Sequence, residues 1–155
     1  MHSRNSTLLS RTIAGLLLLA SATAQAALTV QAPWARPTPE RAATAAYMSL
    51  TSSEGAVLKE VRSTIATSVV IRATASGART LPQLALPAGI PVVLSPDSVH
   101  LVLRGLAHPL AAGERIPLVL TIETANGARQ EVSVTAEVRS RSPADDARRG
   151  QQPGR

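Results

Sequence analysis

The 155-residue sequence contains no cysteine and no phenylalanine. No disulfide can staple the chain, no thiolate can serve as nucleophile or soft metal ligand, and there is no acceptor for lipid attachment through a cysteine. Aromatic residues are reduced to Trp34 and Tyr47, so Val, Leu, Ile and Ala must build the core through many small contacts. Basic residues are scattered singly rather than clustered around stacking platforms, and a nucleic-acid partner is not expected. Two of the three histidines, His100 and His108, and one of the two methionines, Met48, lie beyond the N-terminal leader described below. There is no Gly-x-Ser-x-Gly elbow and no phosphate-cradling glycine loop. Asp97, Ser98 and His100 are too close in the chain to form a nucleophile–base–carboxylate relay. No enzymatic activity is expected.

What the sequence does hold begins with a leader. Arg4 and Arg11 precede the apolar run Thr12–Ala20, and Ala24-Gln25-Ala26 offers a small-x-small exit. This is the secretory signal pattern, with an apolar run shorter than the ~20 residues that span a bilayer. The reading is a signal peptide over 1–26, a β-sandwich domain over 27–139 and a disordered tail over 140–155, which is rich in Ser, Pro, Arg, Gly and Gln. Cleavage after Ala26 leaves a chain of single-domain length without a membrane-spanning segment, placed in the periplasm or otherwise exported. Loss of Arg4 and Arg11 with the leader lowers the +6 formal charge by two.

Past the leader, short apolar runs alternate with turn residues about every ten positions, which indicates a sandwich or barrel. Residues 33–42 contain Pro33, Pro37 and Pro39. They are expected to be an extended entry segment rather than a central strand, with Trp34 turned inward as a plug. Leu81 to Leu86 reads as a weak strand interrupted by Pro82. Asn126-Gly127 signals a hairpin, and the strand that closes it shows Val132, Val134, Ala136 and Val138 on one face. One-sided apolarity of this kind points to two sheets around a single core.

Several segments occur in an order that resembles one family. They are Trp34-Ala35-Arg36, Ala46–Leu50, Ser68–Arg72, Leu86–Gly89, His100–Leu106, Pro109-Leu110 with Gly113-Glu114, and Ile116–Thr121. Together they are similar to the periplasmic copper chaperones of the PCu(A)C type, over about residues 30–138. The resemblance implies an all-β, cupredoxin-like Greek-key β-sandwich and a role in carrying Cu(I) to a respiratory oxidase. The implied partner is a copper-receiving membrane oxidase subunit or another exported protein.

The family's metal site resembles a His, a Met and a His-x-Met. Carried over, the first His falls on Arg72, and the Met falls in Gly77–Leu81, which holds none. The second His is His100, and the last Met falls on Val102. His100 is the one candidate metal residue that survives. Arg does not deprotonate in proteins, and Val offers no lone pair. A copper chaperone-like protein with a degenerate site is therefore expected, and Cu(I) should not be held tightly by one chain. The alternative is a metal-free binding or scaffold module on the same fold. Met48 is expected in the core, and His108 on the surface.

Overall fold

Among the described residues the alternating runs form ten strands: β1 (Leu28–Ala35), β2 (Ala43–Ser52), β3 (Ala56–Arg62), β4 (Ala66–Ala73), β5 (Arg79–Leu81), β6 (Leu84–Leu86), β7 (Val92–Val93), β8 (Val99–Leu106), β9 (Arg115–Thr124) and β10 (Arg129–Val138). The computed structural model describes residues 27–75 and 77–150. The expected signal peptide over 1–26 lies outside them. Hydrogen bonding runs β5-β4-β8-β2-β1-β10-β9-β3-β6, with β7 on the free half of β2. This path folds over on itself, bringing β3 against β4 and β2 against β6. The result is the all-β sandwich expected from the spacing.

Inside it lies one aliphatic core. Leu50, Leu58, Leu101, Leu103, Leu118, Leu120 and Ile122 are completely buried. The alternation in β9 and β10 places Ile116, Leu118, Leu120 and Ile122 against Val134, Ala136 and Val138. In β3 a register shift falls between Leu58 and Glu60. Without that bulge, strict alternation from Leu58 would send Glu60 inward; with it, Val61 enters the core and Glu60 stays in solvent. Thr124 and Ala128 close the β9–β10 hairpin around a three-residue loop, with Gly127 at φ 82° as the Asn-Gly pair predicts.

Three expectations are corrected. Pro33 lies within a strand that is paired on both sides, because β1 runs between β2 and β10. A bulge between Gln31 and Trp34, with Ala32 at φ 46°, takes up the proline where no ladder N–H is required. Trp34 does not plug the core; Ala35 does that, and alternation turns Trp34 to the opposite face, where it is buried against Tyr47. The segment around Pro82 is two strands rather than one. β5 pairs with β4, and β6 pairs with β3, so the chain changes sides at Pro82-Gln83.

The tail read as disordered contains a short helix, α1 (Pro143–Gly150). Ser142 caps it through Oγ, which accepts from the Ala144 N–H at 3.1 Å, and Pro143 supplies the preset φ of the first turn. Asp145 and Asp146 sit at the positive end and Arg148 and Arg149 at the negative end. Arg139 links α1 to β10 by reaching both Glu137 and Asp146 at 3.3 Å.

Candidate functional site

One row crossing the sheet collects most of the chemistry-bearing side chains. Thr80 of β5 pairs with Arg72 of β4, and Arg72 pairs with His100 of β8. The β2–β8 register ends at Ala46 opposite Leu101, which sets Tyr47 beside His100, with ring centroids 6.0 Å apart. Tyr47 pairs in turn with Trp34 of β1, at a centroid distance of 4.6 Å and a 38° tilt. Alternation fixes the face. Ile71, Leu101, Ala46 and Ala35 belong to the core, so Arg72, His100, Tyr47 and Trp34 all point outward. Arg36, just past β1, folds back over the Tyr47 ring at 5.9 Å from its centroid.

His100 is half-buried beside a guanidinium. Desolvation is the larger effect holding its pKa below the ordinary 6.5, Arg72 adds to it, and a hydrogen bond to the Ser98 backbone opposes both. Thr74 Oγ1 donates to the Ser98 carbonyl at 2.8 Å and stands 3.4 Å from His100 Nδ1. With its one proton committed, that oxygen can only accept, which favours the Nδ1–H tautomer and leaves the lone pair on Nε2. Burial raises the Tyr47 pKa, Arg36 opposes the rise and Asp97 adds to it.

A titration prediction follows from this geometry. The His100 imidazole, followed by NMR, should titrate below 6.5, and Arg72→Gln should move its midpoint upward. The unfolded chain binds the His100 proton at a higher pH than the folded chain does. This histidine therefore removes stability as pH falls from about 6.5 and stops doing so below its folded pKa. A midpoint at or above the ordinary value would contradict the burial and charge argument.

The carried-over positions are thus neighbours. Arg72 faces His100, Val102 lies two residues from His100 on the same outward side, and the Gly77–Leu81 segment joins the row through Thr80, which faces Arg72. The positions converge, but their side chains do not suit a cation. One imidazole stands among a guanidinium, a hydroxyl and an isopropyl group, and the set does not fit Cu(I). Among the described residues no group of three or more His, Asp or Glu side chains could hold a metal ion. Met48 is buried in the core, and the structure separates it from this row by sending it to the other face. His108 is exposed, with Nδ1 2.7 Å from the Pro109 carbonyl and 3.8 Å from Glu114 Oε2. Sequence reasoning missed Tyr47 as a neighbour of His100, and Arg36 as a neighbour of Tyr47. The signal for Tyr47 lay in the register of two strands more than fifty residues apart, which no local pattern carries.

A family model described as putative lipoprotein LpqE-like matches residues 28–138. No curated protein matches the chain. Among solved structures, the apo PCuAC domain from PmoF1 is 21% identical, covers 74% of this chain and 94% of that one, and superposes with a TM-score of 0.64. A copper-bound PCuAC domain from PmoF2 is also 21% identical, covering 74% and 93%, with a TM-score of 0.60. The solution structure of CuI-DR1885 from Deinococcus radiodurans is 29% identical, covering 77% and 83%, with a TM-score of 0.55. These likenesses show that the cupredoxin-like sandwich of PCuAC domains is the fold of this chain.

Proposed function

Given that the chain belongs to the LpqE-like family over residues 28–138, we propose that it is an exported, copper chaperone-like protein whose own metal site is degenerate. The lipoprotein part of the family description has no chemical basis within this sequence, which contains no cysteine to acylate. Among the described residues no helix is long and apolar enough to cross a membrane. The leader at 1–26 supports a periplasmic or otherwise exported location.

The observation that carries the reading is the Arg72–His100 pair. Copper-bearing proteins share this fold, and here the position facing the one remaining imidazole holds a permanent cation. A lone chain then offers Cu(I) a single nitrogen donor. Delivery in the manner of a chaperone would need further ligands from the receiving partner, such as a membrane oxidase subunit or another exported protein. The metal-free binding module is the second reading, and the guanidinium at position 72 favours it.

Competition for Cu(I) between the purified domain and a chelator decides whether the lone chain binds metal. The chelator should retain the copper, and His100→Ala should not change the partition. A tight one-to-one complex in the wild-type monomer, lost on His100→Ala, would overturn the degenerate-site reading.

A further inference from the structure

The outward positions of β4 and β8 opposite the core are Ser68, Val70 and Arg72 on one strand and His100, Val102 and Arg104 on the other. None of the six is acidic. Arg72 and Arg104 take part in no ion pair among the described residues, and neither does Arg36. Arg62, Arg129 and Arg139 each lie within 4.0 Å of a carboxylate. The remaining arginines without one among the described residues are exposed, Arg104 and Arg36 included, whereas Arg72 is half-buried. A half-desolvated guanidinium with no counter-charge, flanked by an imidazole with an outward lone pair and by a tyrosine ring, is unbalanced as it stands.

We infer that the Arg72–His100 face binds a carboxylate presented by an acidic segment of an exported protein partner. The anion chemistry follows from the side chains. The guanidinium of Arg72 offers a planar fork of donors, and a protonated His100 offers another donor through Nε2. Carboxylate is favoured over phosphate because the face is the flat outside of a sheet. Arg72 is paired with Thr80 on one side and His100 on the other, so the donors presented there are side chains standing in a row on a sheet, not a concave nest of successive backbone N–H groups that cradles a tetrahedral anion. A macromolecular source is favoured over a free carboxylate because the cations extend along the face. Arg36 lies over Tyr47 on one side, and Arg104 lies four residues from His100 along β8. A segment with several carboxylates meets more than one of these charges, while a free monocarboxylate meets one.

The groups that face His100 set the direction of the coupling. Arg72 from β4 opposes its protonation, Thr74 Oγ1 stands 3.4 Å from its Nδ1, Tyr47 from β2 contributes a neutral ring, and Asp97 lies toward Tyr47 from the turn before β8. A bound carboxylate adds the missing negative charge, so binding draws a proton onto His100 and strengthens as pH falls through its titration range.

This assignment deepens the degenerate-site reading and rests on it, and NMR on the full domain separates the two. The imidazole of His100 is titrated in the presence of a blocked Asp/Glu-rich peptide, of acetate and of inorganic phosphate. The expected result is a saturable upward displacement of the His100 midpoint with the peptide, weakened about ten- to a hundredfold by Arg72→Gln. Arg72→Lys, which keeps the charge but not the fork, should restore part of the affinity, and the exposed Arg79→Gln should leave it unchanged. Thermal melts of each variant verify folding. No saturable response in the wild type, or an equal response in Arg72→Gln, overturns the site. Tighter binding of phosphate overturns the carboxylate assignment, and equal binding of acetate at the same carboxylate concentration overturns the macromolecular source. Tight Cu(I) binding by the lone chain would instead reject the degenerate-site reading, whereas a chain that responds to neither Cu(I) nor carboxylate rejects this assignment alone.

Discussion

Gly105→Ala should lower the melting temperature by about 10 °C, the equivalent of about 3 kcal/mol for a domain of this size. Two independent costs combine there. Gly105 has φ 62°, a left-handed conformation that strains any residue carrying a Cβ. A Cβ at this position would also overlap Thr67 Oγ1 and lie 2.8 Å from Thr67 Cβ, on the neighbouring strand β4. Neither strand can yield easily. Thr67 Oγ1 donates to the Gly105 carbonyl at 3.1 Å, and the Gly105 and Leu106 N–H groups donate to Ala42 and Arg41 at 2.9 and 2.8 Å. Strain and overpacking of this kind cost about 1–3 kcal/mol each. Thr67→Ala in the Gly105→Ala background removes the hydroxyl contact but leaves the Cβ contact and the backbone strain, so it should recover part of the loss. Calorimetry on the two single variants and the double variant checks this. A Gly105→Ala protein that melts with the wild type would show that β8 has room to move.

The second large effect is a gain. The triple variant Arg72→His, Thr80→Met, Val102→Met should bind Cu(I) on the order of a thousandfold more tightly than the wild type, a change of about 4 kcal/mol. The substitutions surround Nε2 of His100 with a second imidazole and two thioethers, a donor set suited to Cu(I). They also remove the guanidinium that opposes a cation. The backbone already supplies the geometry, since Thr80, Arg72 and His100 share one row and Val102 lies beside it, paired with Val70 and Ala45. His100→Ala in the triple variant should abolish the gain. A folded triple variant with unchanged copper affinity would mean that these are not the ligand positions of the fold.

The sequence made legible what depends on neighbours along the chain. The alternation of β10, the Asn126-Gly127 loop and the core placement of Met48 were each readable, because a period of two or a turn residue is a local signal. The bulges were not. Nothing around Glu60 announces that alternation skips a residue, and nothing around Ala32 announces that Pro33 is tolerated in a strand paired on both sides. Both depend on the partner strands. The helix α1 was a different miss. Ser142-Pro143 followed by Asp145-Asp146 and then Arg148-Arg149 is a capping and dipole pattern, but the polar composition of the tail outweighed it. At the candidate site, the ordered segments located His100 and Arg72. Their direct opposition across β4 and β8, with Tyr47 on the far side, is a property of register alone.

The parallel pairing of the first strand with the last has a consequence for how the chain matures. β1 is hydrogen-bonded to β2 on one side, but its other neighbour is β10, the final strand. A chain emerging N-terminus first from a ribosome or a translocation pore can form the β1–β2 ribbon early, yet it leaves one edge of β1 open until Val138 has cleared the exit. Closure is then a late, long-range event with a large loop-entropy cost, as in other slow-folding β topologies. During that interval the incomplete sheet is vulnerable to proteases and to pairing with other extended chains, which gives a holdase chaperone its opportunity to act.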